Sequence, residues 1–84
     1  MNINAAIKKG TEILKRNDIK CPDLDCEILL AKVLKKQRKY LILNLDKQIH
    51  KENLETYKNL ITQRSIGKPI AYLIKKKIFG TQNL

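Results

Sequence analysis

The 84-residue chain is 43% hydrophobic and carries a formal net charge of +10. Its length allows one small domain, because a chain of this size buries only about 60–65% of its unfolded surface on folding. No run of about 20 apolar residues is present to span a membrane. No basic segment leads into an apolar run at the amino terminus, so we expect no signal peptide and a cytoplasmic location.

The excess of 18 lysines and arginines over 8 acidic residues has two interpretations. It fits an anionic partner, such as nucleic acid, a ribosome-associated protein or an acidic protein surface. It fits equally a compositional bias in which lysines only solvate the outer faces of helices. The composition alone leaves both interpretations open.

Apolar residues recur every three or four positions at the start of the chain, which predicts a first helix ending near Arg16. Asn2 or Asn4 is a suitable cap for it. Gly10 falls on the apolar face, where the absence of a side chain lets a second helix approach closely. Asn17 is expected to be the left-handed residue that ends the helix.

The second helix is predicted over Asp23–Leu34, after Pro22 at its first position. Acidic residues in its first turns, among them Asp25, are expected to serve the helix dipole. Its apolar residues leave hardly any polar face, which predicts the central helix of a bundle. Cys21 and Cys26 lie at no usual metal-ligand spacing, so we expect reduced, partly buried thiols.

The apolar run within Arg38–Leu45 fits a strand or a helix by periodicity, and the absence of a partner strand favours a short helix. A fourth helix is predicted over Lys51–Ile66. Ile49 and Leu54 have the spacing of a hydrophobic staple around His50 as the cap residue. The single histidine is therefore interpreted as a helix boundary rather than a ligand or a base.

Gly67 and Pro69 mark the end of the fourth helix. Residues 69–74 are predicted to form one last helical turn, with the apolar cluster Ile70–Leu73 buried against the bundle. Residues 75–84 are predicted to be extended. We therefore predict an all-α fold, a small irregular bundle of four to five short helices with an extended C-terminal linker segment.

The residue pattern contains no recognisable catalytic, cofactor-binding or metal-binding site. The three glycines form no phosphate-binding loop, and no serine or threonine has a base positioned by sequence to activate it. Four aromatic residues give no stacking platform, and no helix-turn-helix is evident, so sequence-specific nucleic-acid recognition is not expected.

Positive charge is concentrated near the C-terminal end of the chain, and this group is the candidate for partner binding. Its members are Arg64, Lys68, Lys75, Lys76 and Lys77. The alternative for the three consecutive lysines is an ordinary solvated charge run.

Arg64–Leu73 resembles the junction sequence of the HemK/PrmC family, the release-factor glutamine methyltransferases. That junction reads roughly Arg-x-x-Gly-x-Pro, an aliphatic residue, Ala-Tyr and a second aliphatic residue, followed by a polar turn and a phenylalanine, here Phe79. Asp23–Leu34 is similar to the family's second helix, and the Arg-x-Tyr-Leu beginning at Arg38 matches its next short helix. The resemblance covers about residues 5–79.

The chain departs from the family pattern at Ile74, Lys75 and Ile78, which leaves the form of a following β-hairpin open. The family's Asn-Pro-Pro-Tyr catalytic motif and its Gly-rich S-adenosylmethionine loop are absent from these 84 residues.

The resemblance implies the N-terminal domain of an S-adenosylmethionine-dependent enzyme that methylates the glutamine of the Gly-Gly-Gln motif in class 1 peptide chain release factors. Residues 1–74 would bind or position the release factor without being catalytic. Residues 75–84 would form a linker, or the start of a β-hairpin, leading to the enzyme's own C-terminal catalytic domain, which would hold the cofactor. The alternatives are a stand-alone basic helical module that binds RNA or the ribosome, and a purely structural helical protein. No membrane partner is expected.

Overall fold

The computed structural model describes residues 1–75, which fold into five α-helices. In chain order the helices are α1 (Ile3–Arg16), α2 (Pro22–Leu34), α3 (Arg38–Leu43), α4 (Lys51–Ser65) and α5 (Ile70–Lys75). The predicted all-α irregular bundle is confirmed. Within this part of the chain, no helix is long and apolar enough to cross a lipid bilayer.

Helix α2 is the centre of the bundle and packs against each of the other four helices. Leu29 and Leu30 have no solvent-exposed surface, and Cys26 and Val33 are also buried. Pro22 occupies the start of the helix, as predicted, where its missing N–H costs no hydrogen bond. The nearly continuous apolar surface of α2 therefore follows from its being surrounded on several sides.

Truncation of the central helix provides a direct test of this packing. Leu30→Ala is expected to lower the free energy of unfolding by about 2–5 kcal/mol, through lost burial and a residual cavity. Leu43→Ala in α3 is the matched control, because Leu43 is 71% exposed and its truncation should cost less than about 0.5 kcal/mol. Urea denaturation followed by circular dichroism measures both. Equal midpoints for the two variants would contradict the central position of α2.

Residues at the amino terminus of α1 are held by the segment that precedes α4. The side-chain oxygen of Asn2 accepts a hydrogen bond from the Ala5 N–H at 2.8 Å and caps the helix. The Ile3 N–H donates to the Lys47 carbonyl at 3.0 Å, and the Ile49 N–H donates to the Met1 carbonyl at 3.0 Å. The bonds donated by Ala5 and Ile3 satisfy N–H groups that a helix start leaves without intrahelical partners.

The end of α1 differs from the prediction. Asn17 has φ −102° and is not left-handed; the left-handed residue is Asp18, with φ 61°. The Asn17 side-chain amide instead donates to the Ile13 carbonyl at 2.8 Å, and so covers one of the last free carbonyls. Aspartate, with a short polar side chain, is among the few non-glycine residues that adopt the left-handed conformation readily.

Gly10 lies at a close contact among α1, α2 and α4, as its position on the apolar face predicted. A Cβ atom at Gly10 would lie 2.5 Å from the Tyr57 hydroxyl oxygen and 2.8 Å from the Cys26 Sγ. Such distances are too short for a methyl group unless these buried atoms move. The glycine is required here by lack of space, whereas its own backbone is ordinary helix.

The boundaries of α4 agree with the prediction to within one residue. His50 takes the cap position without a side-chain cap hydrogen bond, Ile49 is buried, and Leu54 packs against the core. Gly67 has φ +102° with open space around it, so the backbone angle itself favours glycine.

Helix α5 begins and ends one residue later than the predicted turn, so Lys75 is helical where the sequence predicted an extended residue. Leu73 is fully buried, but Tyr72 is 49% exposed and Ala71 is also exposed. The prediction that the whole cluster 70–73 is buried is therefore wrong, because a short surface helix presents only one face to the core. The predicted extended segment beyond Lys75 lies outside the described residues.

Candidate partner-binding surface

Arg64, the first member of the predicted basic group, is committed to contacts inside the domain. Its Nε donates to the Oδ2 of Asp25 at 2.9 Å, and its Nη1 donates to the Lys68 backbone carbonyl at 2.9 Å. The two side chains of the ion pair are only 20% and 9% exposed. The guanidinium thus neutralises a buried carboxylate, which greatly reduces the charge that Arg64 offers to a partner.

Asp25 is the residue whose role sequence reasoning missed. It lies in the first turn of α2, where a carboxylate favours the helix dipole, but it is also buried and paired with α4. Its position beside Cys26 and one turn before Leu29, on a helix apolar nearly all round, was the available signal. A carboxylate on such a face requires a cation.

The ion pair between α2 and α4 makes Arg64 a stability determinant. Arg64→Ala leaves the Asp25 carboxylate buried without its cation and is expected to cost about 3–5 kcal/mol of the unfolding free energy. Arg38→Ala is the control, because the side chains of the Arg38–Glu27 pair, 3.0 Å apart, are 49% and 23% exposed. Its loss should cost about 0–1 kcal/mol. Urea denaturation measures both variants.

A double variant, Asp25→Leu with Arg64→Met, separates the buried charge from the packing. Because apolar residues of similar size often replace a buried ion pair without loss, the double variant should be more stable than Arg64→Ala alone. Equal or lower stability of the double variant would show that the contacts of Arg64 with the 66–69 turn dominate instead.

Lys68 lies beside Arg64 in the structure and is half-buried. Its Nζ lies 3.4 Å from the Oε1 of Gln63 and 5.7 Å from the centroid of the Tyr72 ring. Lys68 therefore bridges the end of α4 and the exposed face of α5. Its backbone carbonyl accepts a hydrogen bond from the Arg64 guanidinium, so the two residues are neighbours.

Lys75 lies in a different setting, at the edge of an open groove between α2, α3 and α5. The groove has a volume of about 490 Å³, and neither Arg64 nor Lys68 lines it. Three other basic residues do, namely Lys32, Lys36 and Arg38. Sequence reasoning missed this grouping because three separate elements contribute to it. Lys76 and Lys77 lie outside the described residues.

A buried polar contact joins the three longest helices. The Tyr57 hydroxyl donates to the Ala6 carbonyl at 3.0 Å, next to the Cys26 thiol. Burial raises the pKa of Tyr57, and the neighbouring Cys26 raises it further. Burial also raises the pKa of Cys26, an effect partly offset by the neighbouring Tyr57 side chain. Both groups are therefore neutral at neutral pH, which suits a structural contact and not a nucleophile.

These raised pKa values predict a loss of stability in alkali. The unfolded chain ionises these groups near their ordinary pKa values of 9.0 and 10.0. The folded chain ionises them only at higher pH. Their contribution to stability is therefore complete below about pH 9 and falls as the pH rises above it.

Urea denaturation at several pH values between about 8 and 11 measures this loss. Tyr57→Phe should be less stable by about 1 kcal/mol at neutral pH, because the hydrogen bond to Ala6 is lost. It should also show a shallower alkaline loss than the unmodified chain. Tyr72→Phe, at a 49% exposed position, is the control and should keep the original slope. The same slope for both variants would contradict the assignment.

Metal-ligating side chains do not gather at any point of residues 1–75. No group of three or more His, Cys, Asp or Glu side chains there is placed to hold a metal ion. Cys21 is exposed and Cys26 is buried, and both are free thiols.

The fold defines a small all-α domain with an irregular helical bundle. The family model of the PrmC N-terminal domain matches residues 5–74 of this chain. The chain therefore belongs to the PrmC N-terminal domain family, and the resemblance to HemK/PrmC proteins seen in its sequence is confirmed.

Relatives with this domain are methyltransferases several times longer than the chain. The release factor glutamine methyltransferase of Buchnera aphidicola subsp. Schizaphis graminum is 43% identical over 84 residues, which are 100% of this chain and 30% of that protein. That of Leptospira interrogans is 37% identical over 78 residues, 93% of this chain and 27% of that protein.

A bifunctional methyltransferase of Rickettsia conorii is 32% identical over 78 residues, 93% of this chain and 15% of that protein. The chain thus spans less than a third of the length of each of these three relatives. No solved structure matches the chain significantly.

Proposed function

We propose that this chain is the N-terminal domain of an S-adenosylmethionine-dependent methyltransferase that modifies the glutamine of the Gly-Gly-Gln motif in class 1 peptide chain release factors. The domain binds or positions the release factor, and a C-terminal catalytic domain binds the cofactor and carries out the transfer. The observation that carries the proposal is the family match over residues 5–74, together with relatives named release factor glutamine methyltransferase.

Two observations support the proposed assignment of substrate binding to this domain and of catalysis to another. About 70% of the relative from Buchnera aphidicola lies outside the region that this chain matches, which leaves room for a cofactor-binding domain. Within residues 1–75 the buried thiol and phenol are held neutral, which suits packing and not group transfer. We therefore assign no catalytic residue to this domain. We also place the enzyme in the cytoplasm, because release factors act there.

The proposed domain boundary falls at the end of α5. The sequence predicted a helical domain over 1–74 and a linker, or the start of a β-hairpin, over 75–84. Because Lys75 is the last residue of α5, we place the start of the linker one residue later. Partner binding by the predicted basic group stays a prediction. Lys75 is the most exposed member among the described residues. Arg64 is instead paired with the buried Asp25 carboxylate inside the domain.

Methyl transfer to a purified release factor tests the proposal. The full-length protein encoded by the gene should transfer a radiolabelled methyl group from S-adenosylmethionine to the release factor, at the glutamine identified by mass spectrometry. The 84-residue chain alone should show no transfer. Removal of residues 1–75 should raise KM for the release factor more than it lowers kcat, because a positioning domain contributes binding energy. An unchanged KM would remove the positioning role.

The alternative of a stand-alone RNA-binding module rests on the net charge of +10 and predicts a different measurement. RNA affinity would fall steeply with salt, with a log–log slope of about 0.7–0.9 for each phosphate contact. Absence of RNA binding at low salt would exclude that alternative. Strong, salt-dependent RNA binding with no methyl transfer would favour it over the methyltransferase.

A further inference from the structure

The groove between α2, α3 and α5 combines an apolar floor with a basic edge. Ile28, Ala31 and Ile74 contribute apolar surface, and Ile28 and Ile74 remain partly open to solvent. The edge is formed by Lys32, Lys36, Gln37, Arg38 and Lys75. The volume of the α2–α3–α5 groove, about 490 Å³, is larger than the volume of about 260 Å³ of the groove between α1 and α4.

The charge of this groove is positive and only partly neutralised. Arg38 is paired with Glu27 at 3.0 Å. The Lys36 Nζ lies 5.2 Å from the centroid of the Tyr40 ring, a contact that orients the ammonium without cancelling its charge. No aspartate or glutamate is among the described residues that line the groove. A ligand that fits it therefore carries negative charge.

The floor of the groove selects between two kinds of anionic ligand. Aliphatic side chains such as Ile28 and Ile74 accept an apolar side chain by burial. Recognition of single-stranded nucleic acid relies instead on aromatic side chains for base stacking, and none lines the groove in the described part of the chain. The combination favours an acidic protein segment that inserts one or two apolar side chains.

The groove also lies where the chain leaves the bundle. Ile74 and Lys75, the last residues of α5, form part of its wall. Under the proposed function, the catalytic domain follows this point in the chain. A segment bound in the groove is therefore held close to the linker, where docking contributes most to presenting the rest of the bound protein.

From these observations we propose that the α2–α3–α5 groove binds an acidic segment of the protein substrate. Apolar side chains of that segment pack against Ile28 and Ile74 of the groove. The proposal rests on the proposed function and specifies the chemistry of its partner. Lys32, Lys36 and Lys75 supply the complementary charge. Such surface charges act mainly on substrate capture and not on the chemical step.

Charge reversal in the full-length enzyme tests the groove. Lys32→Glu with Lys75→Glu should raise KM for the release factor about tenfold and leave kcat within about twofold. Lys8→Glu with Lys15→Glu is the matched control, because both lysines are exposed on α1 and the change in net charge is the same. This control should alter KM by less than about twofold. Circular dichroism melting curves verify that each variant is folded.

A milder variant and a competitor complete the design. Lys32→Gln with Lys75→Gln should give an intermediate KM, which keeps the test valid if the reversal variant does not fold. A synthetic peptide of alternating glutamate and leucine should inhibit the unmodified enzyme competitively against the release factor and inhibit the reversal variant less. Equal KM values for the groove and control variants, with methyl transfer intact, would overturn the groove alone. Inhibition by oligouridylate but not by the peptide would overturn it in favour of nucleic acid. Absence of methyl transfer by the unmodified enzyme would instead overturn the proposed function.

Discussion

The ion pair between Asp25 and Arg64 is the contact on which the arrangement of α2, α4 and α5 depends. A carboxylate beside the core is tolerated only with a cation close to it, and Arg64 supplies that cation from α4 at 2.9 Å. The same guanidinium binds the Lys68 carbonyl in the turn before α5. The Arg64 side chain thus neutralises the buried carboxylate, donates to a backbone carbonyl and holds the turn that leads into α5.

This constraint connects the core to the proposed binding surface. Gly67 turns the backbone after α4, and the Arg64 contact fixes the turn against α2. Leu73 then anchors α5 on the bundle, which places Ile74 and Lys75 along the groove. Because these contacts hold α5 on the bundle, less free energy is lost in ordering the α5 side of the groove on binding.

Local sequence patterns predicted the helices, but they could not predict contacts between residues far apart in the chain. Apolar spacing and Pro22 located α2, and Gly67 located the end of α4, since these signals act within one or two turns. The partner of Asp25 stands 39 positions away, and no local rule selects one arginine among many cations. The exposure of Tyr72 depends on which face of α5 packs against the bundle. The groove forms only where three helices come together in the fold. The family motif identified the junction sequence, but not that Arg64 within it pairs with a buried carboxylate of the same domain.

The hydrogen bonds at the start of α1 have a consequence for the order in which the domain is made. The Ile3 and Asn4 N–H groups of α1 donate to the carbonyls of Lys47 and Leu45, and its Ala6 carbonyl accepts from Tyr57. During synthesis, α1 therefore leaves the ribosome well before the backbone and side chains that complete it. At about 5–20 residues per second, several seconds pass in which its apolar face has no final partner. Because these contacts are long-range, α1 reaches its final packing only after α4 has been synthesised.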